Sequence, residues 1–119
     1  MDPVVKKQMF STGKEAISHA NELGLWPICQ ILEAGENEEV HWHNWDTHIY
    51  VVSGEFQSIE FGTNLVTLLS QGDYMLMPAR KLHSATALKN TIVIYATKEP
   101  INFSKPFNLS PSELSNVIA

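Results

Sequence analysis

The 119-residue chain has a single cysteine, Cys29, and a single arginine, Arg80. One cysteine excludes an intrachain disulfide and fits a reducing compartment. Cys29 stands in an apolar run with no cationic neighbour, so a small buried hydrophobe is expected there rather than a reactive thiol. A lone arginine in a chain of net charge -5 excludes an arginine-rich recognition surface. It also argues against nucleic-acid binding, which needs clustered cations. No apolar stretch approaches the length that spans a membrane. Residues 1–8 carry charges where a signal peptide needs an apolar core, and a cytoplasmic protein is the expectation.

Hydrophobic residues make up 44% of the chain, which excludes disorder throughout and suits one domain over 1–119. No internal repeat, low-complexity stretch or linker divides it. From Lys14 to Leu23, Ala16, Ile17, Ala20 and Leu23 recur at helical spacing, with Ser11 or Thr12 to cap the start and Gly24 to end it. Strand-length apolar runs follow: Trp26 to Glu33, Val40 to His43, Thr47 to Val52, Phe56 to Phe61, Leu65 to Leu69, Tyr74 to Met77, Leu82 to Leu88 and Thr91 to Thr97. Turn residues separate them, and no long helices intervene. That pattern predicts an all-β antiparallel sandwich or barrel, with its core over about 26–99. Period alone does not choose between a jelly roll and an up-and-down barrel.

The remaining 100–119 form an extension. Pro100, Pro106 and Pro111 predict an extended surface segment. Ser110-Pro111-Ser112-Glu113 then reads as a capping box opening a short helix to about Ile118.

Three of five histidines lie within eight residues, at His41, His43 and His48. In an extended strand His41 and His43 point to one face, about 7 Å apart, a workable bite for one ion. Trp42 between them must face the opposite way, into a layer of side chains or a subunit contact. A lone His-x-His is a weak signal, but its surroundings add to it. Gly35 lies six residues before His41, and Gly54 seven after Thr47. Downstream, Gly72 is followed at fixed spacing by Pro78 and His83.

These positions resemble the two motifs of the cupin superfamily, in its small single-domain form. Gly35, His41, His43, Gly54, Gly72, Pro78 and His83 match at the family's spacing. Thr47 stands where the family has a carboxylate ligand, Arg80 where it has a glycine, and Ala87 where it has an asparagine. The resemblance implies a double-stranded β-helix jelly-roll barrel with short helices at both ends. It further implies one divalent transition metal ion (Fe, Zn, Ni or Mn) on His41, His43 and His83. His48 and Asp46 are possible additional ligands, although strand alternation turns both away if Thr47 faces inward.

Thr47 is expected to hydrogen-bond a metal-bound water or to line the pocket, beside Ile49 and Val51, with Tyr50 outside. Tyr74 or Met75 should line the opposite wall. Arg80 and Lys81 are expected at the barrel mouth, where they could orient an anion. Asp46, Tyr74 and His48 are the candidate general bases. His19 falls on the polar side of the helix and receives no role.

With three neutral imidazoles, both charges of a divalent ion remain for an anionic or chelating small-molecule ligand. A metal-dependent enzyme of dioxygenase, isomerase or lyase type is one expectation, with Thr47, Tyr74 and Arg80 as its candidate catalytic residues. A non-catalytic small-molecule sensor is the alternative, and a purely structural barrel a third. Trp26, Trp42 and Trp45 suggest an additional buried surface, and a homodimer is expected.

Overall fold

The computed structural model describes residues 2–101 and 107–118. Two antiparallel sheets face each other. The larger has the order β1-β7-β4-β9-β2, built from β1 (Val4–Lys6), β7 (Tyr74–Met77), β4 (Thr47–Ser53), β9 (Thr91–Thr97) and β2 (Trp26–Leu32). The smaller has the order β3-β8-β5-β6, from β3 (Asn37–His41), β8 (His83–Ala87), β5 (Glu55–Glu60) and β6 (Val66–Ser70). This is the all-β jelly-roll barrel, flanked by helices α1 (Gly13–Glu22) and α2 (Pro111–Ile118). All eight expected strands are present, and β1 is an addition that the sequence reading missed. Three residues of Val and Lys are too short a run to register as a period.

Between the sheets lies the main core, formed by Ile49, Val51, Phe56, Leu69, Met75, Met77, Ala85, Val93 and Tyr95. The larger sheet is also covered on its outer face. There Phe10, Tyr50, Tyr74, Ile94 and Ala96 are buried under Ala16 and Ala20 of α1. Strands buried on both faces need apolar side chains at nearly every position, which is why β4 and β9 read as continuous runs rather than alternating ones. Removing a large aromatic side chain such as Tyr50 from water contributes about 1.5–3 kcal/mol.

Helix α1 begins where Thr12 accepts a hydrogen bond from the Glu15 N–H, 3.2 Å away. Among its apolar residues the alanines are the buried ones. Ile17 and Leu23, expected on the buried face, are 42% and 51% exposed. The helix rides on the rings of Tyr50 and Tyr74, and small side chains let it approach them closely. His19, given no role by the sequence, is hydrogen-bonded here: its Nδ1 lies 2.7 Å from the Tyr50 hydroxyl. Cys29, expected buried, is exposed, because β2 is an edge strand whose residue 29 faces away from the core.

The β4–β5 turn depends on Gly54. Its φ is +91°, and an added Cβ would stand 2.4 Å from the Asn90 carbonyl oxygen and 2.5 Å from Thr91 Oγ1. We predict that Gly54→Ala destabilises the protein by roughly 1–3 kcal/mol from the backbone conformation alone, with the backbone clash adding to it. Chemical denaturation of the two proteins measures this, and equal midpoints would refute it.

Candidate metal centre

β3 and β8 are neighbours, and His41 pairs directly with His83 across their ladder. His43 follows two residues beyond His41, past the end of β3. All three histidines are buried, and one ring nitrogen from each lies within 4.8 Å of the others. Two ligand bonds of about 2.1 Å each nearly cover that span. The three ring centroids are 4.3 to 5.1 Å apart.

Backbone carbonyls orient each ring. His41 Nδ1 donates to Glu39 O at 2.5 Å, His83 Nδ1 to Lys81 O at 2.7 Å, and His43 Nδ1 to Phe107 O at 3.1 Å. A carbonyl can only accept, so each Nδ1 carries the proton and each Nε2 presents a lone pair. This second layer of hydrogen bonds is the arrangement that fixes metal-ligating imidazoles. His41 Nε2 is buried with no hydrogen-bond partner among the described residues. An unpaired lone pair of that kind is costly without a ligand. The donor set therefore fits a divalent transition metal ion.

Burial and the neighbouring imidazoles keep the His43 and His83 rings neutral. His43 is lowered to about 3, by burial first and then by His83 and His41, against the bond to Phe107. His83 is lowered to about 4, by burial and then by His41.

Beside the histidines opens a cavity of about 320 Å³, lined in part by His43, His83, Ile49, Glu38, Tyr95 and Phe107. The expected catalytic residues lie elsewhere among the described residues. Tyr74 is on the outer face of the sheet, because the β4–β7 register pairs it with Tyr50 and sets Met75 opposite Ile49 inside. Its hydroxyl is hydrogen-bonded to His48 Nδ1 at 2.6 Å, so His48 too is outside the barrel. Asp46 Oδ1 accepts from the Ala79 N–H at 2.8 Å and does not reach the histidines. Thr47 is fully buried on the inward parity, but its hydroxyl donates to Trp45 O at 3.3 Å, and it does not line the cavity.

Arg80 is exposed and does not line the cavity either. Its φ of +63° matches the glycine that the motif places there, and its backbone N–H donates to His43 O at 2.9 Å. Lys81 is drawn to Glu60 Oε1 at 2.9 Å.

Two cavity residues escaped the sequence reading. Glu38 Oε2 lies 3.6 Å from His41 Nε2. Burial raises the Glu38 pKa, an effect that His41 opposes. Tyr95 is 5% exposed, and its hydroxyl has no hydrogen-bond partner among the described residues. Burial and then the Glu38 charge push that hydroxyl well above the usual phenol value. Period-2 alternation from Thr91 would have placed Tyr95 inside; Glu38 had no such signal.

The C-terminal extension is also part of the site. Phe107 stacks on His43 with ring centroids 4.0 Å apart. Leu109 bridges to Trp42, whose indole N–H donates to Ser110 O at 2.8 Å. Trp42 is thus buried within its own chain and contributes no subunit surface. The described part of the expected surface segment, 107–110, is half-buried or exposed and fastens to the barrel at Trp42 and His43, while residues 102–106 lie outside the described residues.

The cupin-domain family model matches residues 29–96, more than half the chain. The chain belongs to the cupin family. Sequence comparison with curated proteins returns no relative. Among solved structures, KdgF from Halomonas sp. is 29% identical with a TM-score of 0.57, covering 65% of this chain and 72% of that one. An RmlC-like cupin from Shewanella frigidimarina is 22% identical with a TM-score of 0.55, covering 76% and 70%. A salicylate 1,2-dioxygenase from Pseudoaminobacter salicylatoxidans, in adducts with gentisate, is 20% identical with a TM-score of 0.56. That match covers 63% of this chain and 20% of the dioxygenase. No helix among the described residues is long and apolar enough to cross a membrane.

The depressed histidine pKa values set a pH dependence for the metal-free protein. Unfolded, the two rings take up protons as pH falls through about 6.5. Folded, His43 and His83 resist until about 3 and about 4. Protons therefore favour the unfolded state across that window, and stability falls as pH falls below 6.5. Each ring contributes up to about 1.4 kcal/mol per pH unit. Denaturant titrations of metal-free protein from pH 7 to 5 should show this slope, and His43→Gln should reduce it. A flat profile would contradict the neutral cluster.

Proposed function

We propose that this cupin is a metal-dependent enzyme acting on a small anionic or chelating metabolite bound in the barrel, of dioxygenase, isomerase or lyase type. The observation that carries the reading is the convergence of three buried imidazoles, each oriented through Nδ1 by a backbone carbonyl. His41, His43 and His83 would hold one divalent ion, of iron, zinc, nickel or manganese. Such an ion acts as a Lewis acid on a bound oxygen and lowers the pKa of bound water. The chain's own contribution is a half-enclosed cavity with an apolar wall at Ile49, Phe56 and Ala85, which restricts water around a bound ligand. Tyr95 offers a hydrogen bond to an oxygen of that ligand, and Phe107 closes the side next to His43. The cupin fold shared with a gentisate-bearing dioxygenase is compatible with this chemistry and does not by itself select it.

A non-catalytic sensor is the second reading, favoured by the loss of a carboxylate at Thr47 and by the absence of Arg80 and Lys81 from the cavity lining. We further propose a homodimer in the cytoplasm, with exposed Trp26 and Ile31 on the edge strand β2 as its apolar contact. A light-scattering mass equal to one chain would count against the dimer.

Elemental analysis of purified protein should find close to one transition metal ion per chain, with His83→Ala losing it. Oxygen uptake on a panel of diketones, thiols and catechols tests the dioxygenase version. Metal without turnover on any panel would select the sensor, and metal-free protein that takes up no added ion would overturn the metal-dependent enzyme.

A further inference from the structure

The β3–β8 ladder changes register at the site. Asn37 pairs with Thr86 and Glu38 with Ala85, but His41 pairs with His83. Two residues of β3, Glu39 and Val40, therefore face the single residue Ser84, which is a β-bulge. In a regular strand, residues three apart point to opposite faces. The extra residue reverses that parity, so Glu38 and His41 share the inner face, opposite the inward Ala85 and His83. The bulge also supplies the Glu39 carbonyl that accepts the hydrogen bond from His41 Nδ1–H and turns His41 Nε2 towards Glu38.

Glu38 is the one carboxylate among the described residues that line the cavity, and no lysine or arginine lines it. Its Oε2 stands 3.6 Å from His41 Nε2, which has no hydrogen-bond partner. Two atoms bound to one ion at about 2.0–2.2 Å each can be no more than about 4.4 Å apart. The separation from His41 falls inside that limit, while Glu38 stands outside the span that joins the three histidine nitrogens, so ligation requires its side chain to turn towards the ion. The inner-face alternative, Thr47, has a neutral hydroxyl already engaged by Trp45 O.

We propose that Glu38, carried inward by the β-bulge, is the fourth protein ligand of the metal centre and supplies the negative charge that position 47 lacks. The inference rests on the three-histidine reading. It has a consequence for the ligand class. Three neutral imidazoles and one carboxylate leave a divalent centre with a single positive charge, which suits a monoanionic ligand better than a dianionic one. Asn108 Nδ2 donates at 3.4 Å to Glu38 Oε2, the same oxygen that faces His41, and is the positioning group of that carboxylate.

The test is chelator competition with zinc on the wild type, Glu38→Gln and His83→Ala, alongside the visible spectrum of the cobalt-loaded proteins. Glu38→Gln should bind zinc about tenfold more weakly or worse, and its cobalt bands should move. Unchanged affinity with an unchanged spectrum would leave the approach of Glu38 to His41 without a role in metal binding and overturn the proposal. Should Glu38→Gln fail to fold, a crystal structure of zinc-loaded wild type decides. A Glu38 oxygen within about 2.2 Å of the ion upholds the assignment, and one beyond about 3 Å refutes it. A wild type that binds no zinc refutes the histidine site itself, whereas zinc binding lost in His83→Ala but unaffected in Glu38→Gln refutes only the role of Glu38.

Discussion

The site depends on one pairing, β3 against β8, which sets His41 directly opposite His83. The two rings come from strands far apart in sequence, and only the ladder brings them together. Hydrogen bonds between backbone groups therefore decide where the imidazoles meet, and other backbone groups decide how they point. Each Nδ1 is held by a carbonyl, two of them only two residues away along the chain. A ligand oriented by its own local backbone tolerates change in the surrounding side chains. That is one physical reason why a barrel of this kind can vary its cavity wall while keeping its histidines.

The larger sheet has a different task. Its central strands are buried on both faces, by the barrel core within and by α1 outside. The outer layer joins His19 to Tyr50 and His48 to Tyr74 through short hydrogen bonds, so polar atoms that burial would otherwise strand are satisfied. Tyr74 and His48 belong to that layer. Their chemistry-bearing side chains drew attention in the sequence, but they bond to each other on the outer face of the sheet rather than facing the cavity.

How much was legible follows from which signals are local. β7 and β9 were bounded to the residue, because turn residues flank strongly apolar runs. His41, His43 and His83 were recognisable because motif spacing survives in sequence. Inward parity from Thr47 put Ile49 and Val51 correctly inside and Tyr50 outside. The register of β7 was not legible: Tyr74 and Met75 were equally open until pairing with β4 chose Met75. Glu38 was hidden for a related reason. A bulge breaks the alternation on which any inward or outward assignment rests, and nothing in the side chains announces it. Arg80 misled through its charge, whereas the structure uses its backbone, in a left-handed turn that donates to the His43 carbonyl. The docking of the extension was missed because prolines report what a segment cannot form, not where it docks.

The bond from His43 to Phe107 spans 64 positions of the chain. During synthesis all three imidazoles leave the ribosome before the carbonyl and the aromatic ring that settle His43. A nascent barrel can thus gather its histidines while one of them still rotates freely. Orientation of the third nitrogen waits for Phe107, so the cluster acquires its final geometry only when the chain beyond β9 has docked against His43.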